Sequence, residues 1–246
     1  MIDQFVKNDP LYMQNLTSGI WESAYPDLTF IFLKGFQQGD AVVPADYAAF
    51  DFLQNISGVT AELEAAQFPS WYSAYTELIN PALSAGDLVG VSILDISRII
   101  SSDLLGSESG RQNISDFITA LPSGQSFLFE RVSGGAVSQV DSEATAINPA
   151  WRTALAYGNI PVFDSLSDGP ISASTNSTTD TLTKEANIVF GSDAYYNEDN
   201  KREPDYTKVF WGSNYARLLS LKEEFDPNCV LTSSATVGQL ELCGGT

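Results

Sequence analysis

The chain has 246 residues, 43% hydrophobic and only 17% charged, enough apolar material for a real core in one large or two small globular domains. With 12 basic against 31 acidic residues its net charge is −19, so nucleic acid and anionic lipid surfaces are poor partners. No histidine is present, which removes Ser-His-Asp and Cys-His nucleophile systems and most zinc catalysis and leaves proton transfer to Tyr, Asp, Glu, Lys or Cys.

In chain order, residues 3–9 read as the end of a helix cut short by Pro10. Tyr12 to Trp21 alternates, and Asp27-Leu-Thr-Phe-Ile-Phe-Leu-Lys34 is rich in β-formers; the two predict strands paired across the turn Tyr25-Pro-Asp27. Pro44 to Leu53 has helical spacing, with Pro44 suited to a first turn. Ser57 to Leu63 reads as a short strand, and a helix runs from the N-cap Ser70 to about Leu78. Leu88 to Leu94 is a β-rich run. Asn113-Ile-Ser115 opens a short helix ending near Pro122, Gln125 to Val132 is the next strand, and Gly134-Gly135 turns the chain. Residues 136–147 form a polar connection, and Trp151 to Phe163 holds a further strand. The Ser/Thr/Asp/Gly-rich stretch 165–180 reads as loop, and Thr181 to Phe190 as helix. From Asn214, apolar residues at Tyr215, Leu218, Leu219, Leu221 and Phe225 make one helical face, ended by Pro227; Asn214 itself could cap that helix.

Strand pairs alternating with helices predict an α+β fold, a largely antiparallel sheet with helices covering one face. No apolar run approaches the ~18–20 residues of a membrane span, and Met1-Ile-Asp-Gln-Phe5 lacks a signal-peptide start. Cys229 and Cys243 could close one small loop or remain buried thiols. Sequons at Asn15, Asn55, Asn113 and Asn176 hint at a secreted glycoprotein. Neither Gly134-Gly135 nor Asp226-Pro-Asn228 has the frame of a nucleotide or metal loop.

The last quarter says more. Ala194-Tyr-Tyr-Asn-Glu198, then Glu203-Pro204, then Phe210-Trp-Gly-Ser-Asn-Tyr215, Arg217-Leu-Leu219, Leu221-Lys222 and Asp226-Pro227 resemble the C-terminal signature of berberine-bridge-enzyme-like FAD-linked oxidoreductases, in the vanillyl-alcohol-oxidase superfamily. Asn148-Pro-Ala-Trp-Arg152 and the strand–helix pattern upstream are similar, more loosely, to that family's substrate domain. The resemblance implies residues 1–165 as a substrate-domain-like sheet with helices, 166–180 as a loop or linker, and 181–246 as the C-terminal segment. It implies that the chain begins about where the substrate domain does, so that the FAD-binding domain, with its Gly-rich segments and its His and Cys attachment residues, lies in the full-length protein or in a partner chain.

Members of that family oxidise alcohols, sugars or similar small organic substrates, passing a hydride to flavin that dioxygen then reoxidises, while a protein base takes a proton. The family's Tyr-x-Asn-Tyr has Glu198 at its last position here, so Tyr195 and Glu198 are both candidate catalytic bases. In an extended segment Tyr195 and Asn197 would share one face and Glu198 the other, which favours Tyr195. Asn197 and Asn214 are the candidate cofactor contacts. Trp151, Thr153 and Tyr157, alternating along one strand face with Leu155, are the candidate substrate contacts. The competing reading is a catalytically silent homologue that binds a small molecule or a protein through the same sheet.

Overall fold

The computed structural model describes residues 1–14, 16–35, 41–81, 92–164 and 170–244. Strands β1 (Ser18–Ala24), β2 (Asp27–Leu33), β3 (Ile93–Ser101), β4 (Ser126–Arg131) and β5 (Ala154–Phe163) form one sheet in the order β2-β1-β4-β5-β3. Every pairing in it is antiparallel, as the sequence predicts.

Period-two alternation gives the sheet two unlike faces. Trp21, Phe127, Phe129, Ile96, Ile100, Ala156 and Ile160 are buried beneath the helices Ile2–Lys7, Glu108–Ala120 and Ala173–Phe190, which contribute Phe5, Ile114, Phe117, Leu182 and Ala186. Aromatic stacking runs through this layer: Trp21 lies 5.0 Å from Phe129, and Phe127 lies 5.9 Å from Phe190. Gly158 makes room for it, since a Cβ there would sit 2.5 Å from the Phe127 ring. The opposite face carries Glu22, Leu128 and Glu130, then Asp95, Ser97, Tyr157 and Asn159, and among the described residues no helix layer covers it.

Several expectations are corrected. Tyr12 does not begin a strand: Pro10 sits in the first turn of a second short helix, Asp9–Tyr12, and the buried Tyr12 hydroxyl donates to the Phe5 carbonyl at 3.0 Å. No strand forms at 57–63, where Gly58 turns the chain at φ 79°. The expected run at 88–94 falls largely outside the described residues, and β3 extends to Ser101 through polar Ser97 and Arg98. The helix expected at Asn113 begins at Glu108, where the Ser107 hydroxyl caps the Gly110 N–H. The Ser/Thr-rich stretch read as loop is helical from Ala173. Ser172 caps it, and Thr179 and Thr181 turn their hydroxyls back onto carbonyls four residues earlier, which lets them sit inside a helix. The final strand begins at Ala154; Pro149–Arg152 is a 3-10 turn, so Trp151 and Thr153 do not alternate with Tyr157 along β5.

Cys229 and Cys243 are joined in a disulfide. Among the described residues no helix is long and apolar enough to cross a membrane, and no group of His, Cys, Asp and Glu is placed to hold a metal ion.

Phe127 links the sheet to two helices and is 1% exposed. Phe127→Ala should therefore lower unfolding free energy by about 3–5 kcal/mol, read as a drop in the urea midpoint with unchanged slope.

Candidate functional site on the open sheet face

β3 is an edge strand, and its outward backbone groups need partners. The segment 193–200 supplies them. Ile99 N–H donates to the Asp193 carbonyl (2.8 Å), Ser97 N–H to Asp199 Oδ2 (3.1 Å), and the Asn200 backbone N–H to the Asp95 carbonyl (2.9 Å). The Ser97 hydroxyl is bonded on both sides of Tyr195, accepting from its N–H at 2.9 Å and donating to its carbonyl at 3.2 Å. These bonds fix the Tyr195 backbone over the open face.

Arg98, 2% exposed, locks the segment from the helix side. Its guanidinium donates to Asn187 Oδ1 (2.8 Å), Asp199 Oδ2 (3.3 Å) and Glu203 Oε1 (2.6 Å). Two buried carboxylates share one cation, so burial and the Glu203 charge push the Asp199 pKa up to about 7 against the pull of Arg98. Lys201 lies nearby with its ammonium 3.5 Å over the Tyr196 ring; burial lowers its pKa and the Asp199 charge opposes that.

Trp151 arrives by another route. Buried Asn148 donates to Asp193 Oδ1 (2.9 Å) and to the Val209 carbonyl (2.8 Å), and its own Oδ1 accepts from Ala150 N–H (2.9 Å), starting the turn that carries Trp151. The rings of Trp151, Tyr157 and Tyr195 then meet edge to face, with centroids 6.0, 5.5 and 5.4 Å apart.

Around this aromatic array stand three carboxyl groups. The Tyr157 pKa is raised first by burial and then by the Glu130 and Glu198 carboxylates that its hydroxyl faces. Glu130 is raised by burial, with Tyr157 opposing and Glu198 adding to the shift. Asp95 is raised by burial and by Glu198, with Asn159 opposing. Asn159 Nδ2 donates to Glu198 Oε2 at 3.3 Å, while its buried Oδ1 has no partner. Glu130 and Asp95 therefore bind a proton more readily than exposed carboxylates do, and Tyr157 keeps its own.

Of the residues predicted from sequence, Trp151, Tyr157, Tyr195, Asn197 and Glu198 come together. Asn197 Nδ2 donates to the Tyr195 hydroxyl at 3.1 Å. The reason given for separating Glu198 from them fails, because Tyr196–Glu198 is a 3-10 turn and not extended; Glu198 turns to the sheet beside Tyr157. Thr153 is exposed, with its hydroxyl directed back to the Ala150 carbonyl. Asn214 makes no side-chain cap. Its buried amide donates to the carbonyls of Ser142 (2.9 Å), Thr145 (3.3 Å) and Ile147 (2.9 Å), holding the loop that leads into Asn148. Sequence reasoning missed Asp95, Ser97, Glu130 and Asn159. Their signal was a polar residue at alternate positions of strands whose other face is apolar.

Residues 194–237, which include Tyr195 and its neighbours, match the family described as "Berberine and berberine like". The match is confined to this C-terminal segment. Curated relatives match over a larger share of the chain. It is 32% identical over 154 residues to an uncharacterized FAD-linked oxidoreductase of Arthroderma benhamiae, a match covering 61% of this chain and 26% of that protein. It is 29% identical over 156 residues to an FAD-linked oxidoreductase of Epichloe festucae var. lolii, covering 61% and 25%. The VAO-type flavoprotein MtVAO615 of Myceliophthora thermophila C1 superposes with a TM-score of 0.69 over 96% of this chain and 43% of its own, at 22% identity, which speaks for a shared fold. The matched part of the chain thus spans about a quarter of the length of these curated relatives.

The Asp199 shift fixes a direction for stability. A carboxyl with a folded pKa above its unfolded value of 3.8 stabilises fully below 3.8, and that contribution is lost as pH rises through about 7. Asp95, Glu130 and Asp9 are raised as well and act in the same sense. The urea midpoint should therefore fall between pH 5 and pH 8, and Asp199→Asn, which keeps an acceptor for Ser97 and Arg98, should flatten that fall.

Proposed function

We propose that this chain forms the substrate side of an FAD-dependent oxidoreductase that removes a hydride and a proton from an alcohol, sugar or similar small organic molecule, with dioxygen as the final acceptor. The observation that carries the reading is the array of Trp151, Tyr157 and Tyr195 on a helix-free sheet face, ringed by Glu130, Glu198 and Asp95. The chemistry of this face fits a flat heteroaromatic ring and a polar substrate: aromatic planes for contact, the Asn197 amide for a ring edge, and carboxylates to receive a proton. Flavin, when bound, would supply the hydride acceptor.

This chain's residues divide the remaining tasks. Trp151 presents apolar surface to the substrate, and the buried Tyr157 backs it edge to face. The Tyr195 hydroxyl accepts from Asn197, which aims its own proton and lone pair outward. Glu130 holds a raised-affinity proton site beside Tyr157, with Glu198 next to it, so a proton leaving the substrate has a carboxylate to rest on. Asn214 and Asn148 hold the loop and turn that position Trp151. Thr153, exposed and two residues from Trp151, would be a contact for a longer substrate. The FAD-binding part would come from the same full-length protein or a partner chain, and secretion of the full-length form suits the disulfide between Cys229 and Cys243.

The test is complementation. The chain is combined with an FAD-binding domain from a relative, and flavin colour and substrate-dependent peroxide are followed over a panel of alcohols and sugars. The reading expects peroxide with the wild type and a loss of turnover of about 10²–10⁴-fold in Tyr195→Phe or Glu130→Gln. Wild-type rates in both variants would remove the array from the chemistry.

A further inference from the structure

The four sequons are left unexplained by the reading above, and the structure separates them. Asn15 lies outside the described residues. Asn113 is exposed but stands inside the helix Glu108–Ala120, and the hydroxyl its sequon requires belongs to Ser115, 1% exposed and bonded to Asp3 Oδ1 at 3.3 Å. Asn176 is in the first turn of the helix Ala173–Phe190. Its Nδ2 donates to the Ile171 carbonyl at 3.3 Å and its Oδ1 is buried, so a sugar on that nitrogen would have to displace the helix start.

Asn55 differs in its sequon hydroxyl and in its place at a helix end. It is the last residue of the 3-10 helix Ala48–Asn55, it is exposed, and the Ser57 of its sequon is exposed too. Its amide bonds only the Asp51 carbonyl, at 3.2 Å, on the surface. Gly58 turns at φ 79° just beyond, so the sequon sits on a protruding bend that an enzyme's cleft can admit. The same short helix buries Phe50 and Leu53 in the helix-side core, with Phe50 stacked 4.5 Å from Tyr12 and 4.9 Å from Phe30. A glycan on Asn55 would therefore stand on the helix side of the sheet and leave the Tyr157 face free. The Cys229–Cys243 disulfide is an independent mark of passage through an oxidising compartment, where such glycans are attached.

We infer that Asn55 is an N-glycosylation site of this protein, while Asn113 and Asn176 stay unmodified. In the transfer, Asn55 Nδ2 bonds to the anomeric carbon of an oligosaccharide carried on a lipid pyrophosphate. The bond from that carbon to the pyrophosphate oxygen breaks, the lipid pyrophosphate leaves with the electron pair, and the amide nitrogen gives up one proton.

The experiment is site mapping on the full chain secreted from a eukaryotic host. Peptide N-glycosidase in heavy-oxygen water marks each formerly glycosylated asparagine by mass, and gel mobility before and after the enzyme is compared in N55Q, N113Q and N176Q. The inference expects the mark on the Asn55 peptide, loss of that glycan's mobility step in N55Q, and wild-type mobility in N113Q and N176Q. An unmarked Asn55 peptide in the wild type overturns it, as does a mark at Asn113 or Asn176. Should N55Q fail to be secreted, S57A removes the acceptor hydroxyl without touching Asn55, and the wild-type peptide map decides alone.

Discussion

One buried cation holds the arrangement together. Arg98 is drawn from an edge strand into the helix-side core, where it meets Asn187 of a long helix and Asp199 and Glu203 of the C-terminal segment. A guanidinium so enclosed is tolerable only if its donors are satisfied, and removing one partner of such a group leaves an uncompensated charge, at a cost on the order of 3–5 kcal/mol. The segment is thereby obliged to run along β3. Once it does, Ser97 fixes the Tyr195 backbone, and the free edge of the sheet is closed without a sixth strand among the described residues. The second carboxylate overdraws the one cation, and Asp199 answers by holding its proton to near neutral pH.

The open face follows from the same constraint. Tyr195, Asn197 and Glu198 reach the sheet because the chain is pinned on both sides of them, at Asp193 and at Asp199–Asn200. There they meet Tyr157, Glu130, Asn159 and Asp95, polar residues that the strand alternation sends away from the core. Their partial burial costs stability and raises proton affinity. Such groups are what an acid–base site requires, and the helix-side core of aromatic rings carries the folding energy that offsets them.

How much of this was legible in the sequence depends on range. The β1–β2 hairpin, β4, most of β5 and the final helix could be read because their signals are local: period-two alternation, the turn at Tyr25-Pro-Asp27, and the stop at Pro227. The helix Ala173–Phe190 was half hidden because Ser and Thr favour loops unless their hydroxyls find carbonyls within the helix, which they do here. Tyr195, Asn197 and Glu198 were reached through the order of residues in the C-terminal signature, Trp151 and Tyr157 through the alternation expected along one strand face. Glu130, Asn159, Ser97 and Arg98 were not, because each takes its meaning from a partner far along the chain; Ser97 and Tyr195 are 98 residues apart. The capping alternative for Asn214 fails for the same reason: a helix-starting asparagine suits a cap locally, and only the folded loop at 142–147 claims its amide.

Hydrogen exchange on the amides of Ser97, Ile99 and Tyr195 tests this account most directly. Each donates to the segment or to the strand across the β3 edge. If Arg98 secures that edge, the three amides exchange as slowly as those inside the sheet, and together become fast in Arg98→Met while the β1–β2 hairpin stays protected. Fast exchange of these amides in the wild-type protein, or protection unchanged in the variant, would contradict it.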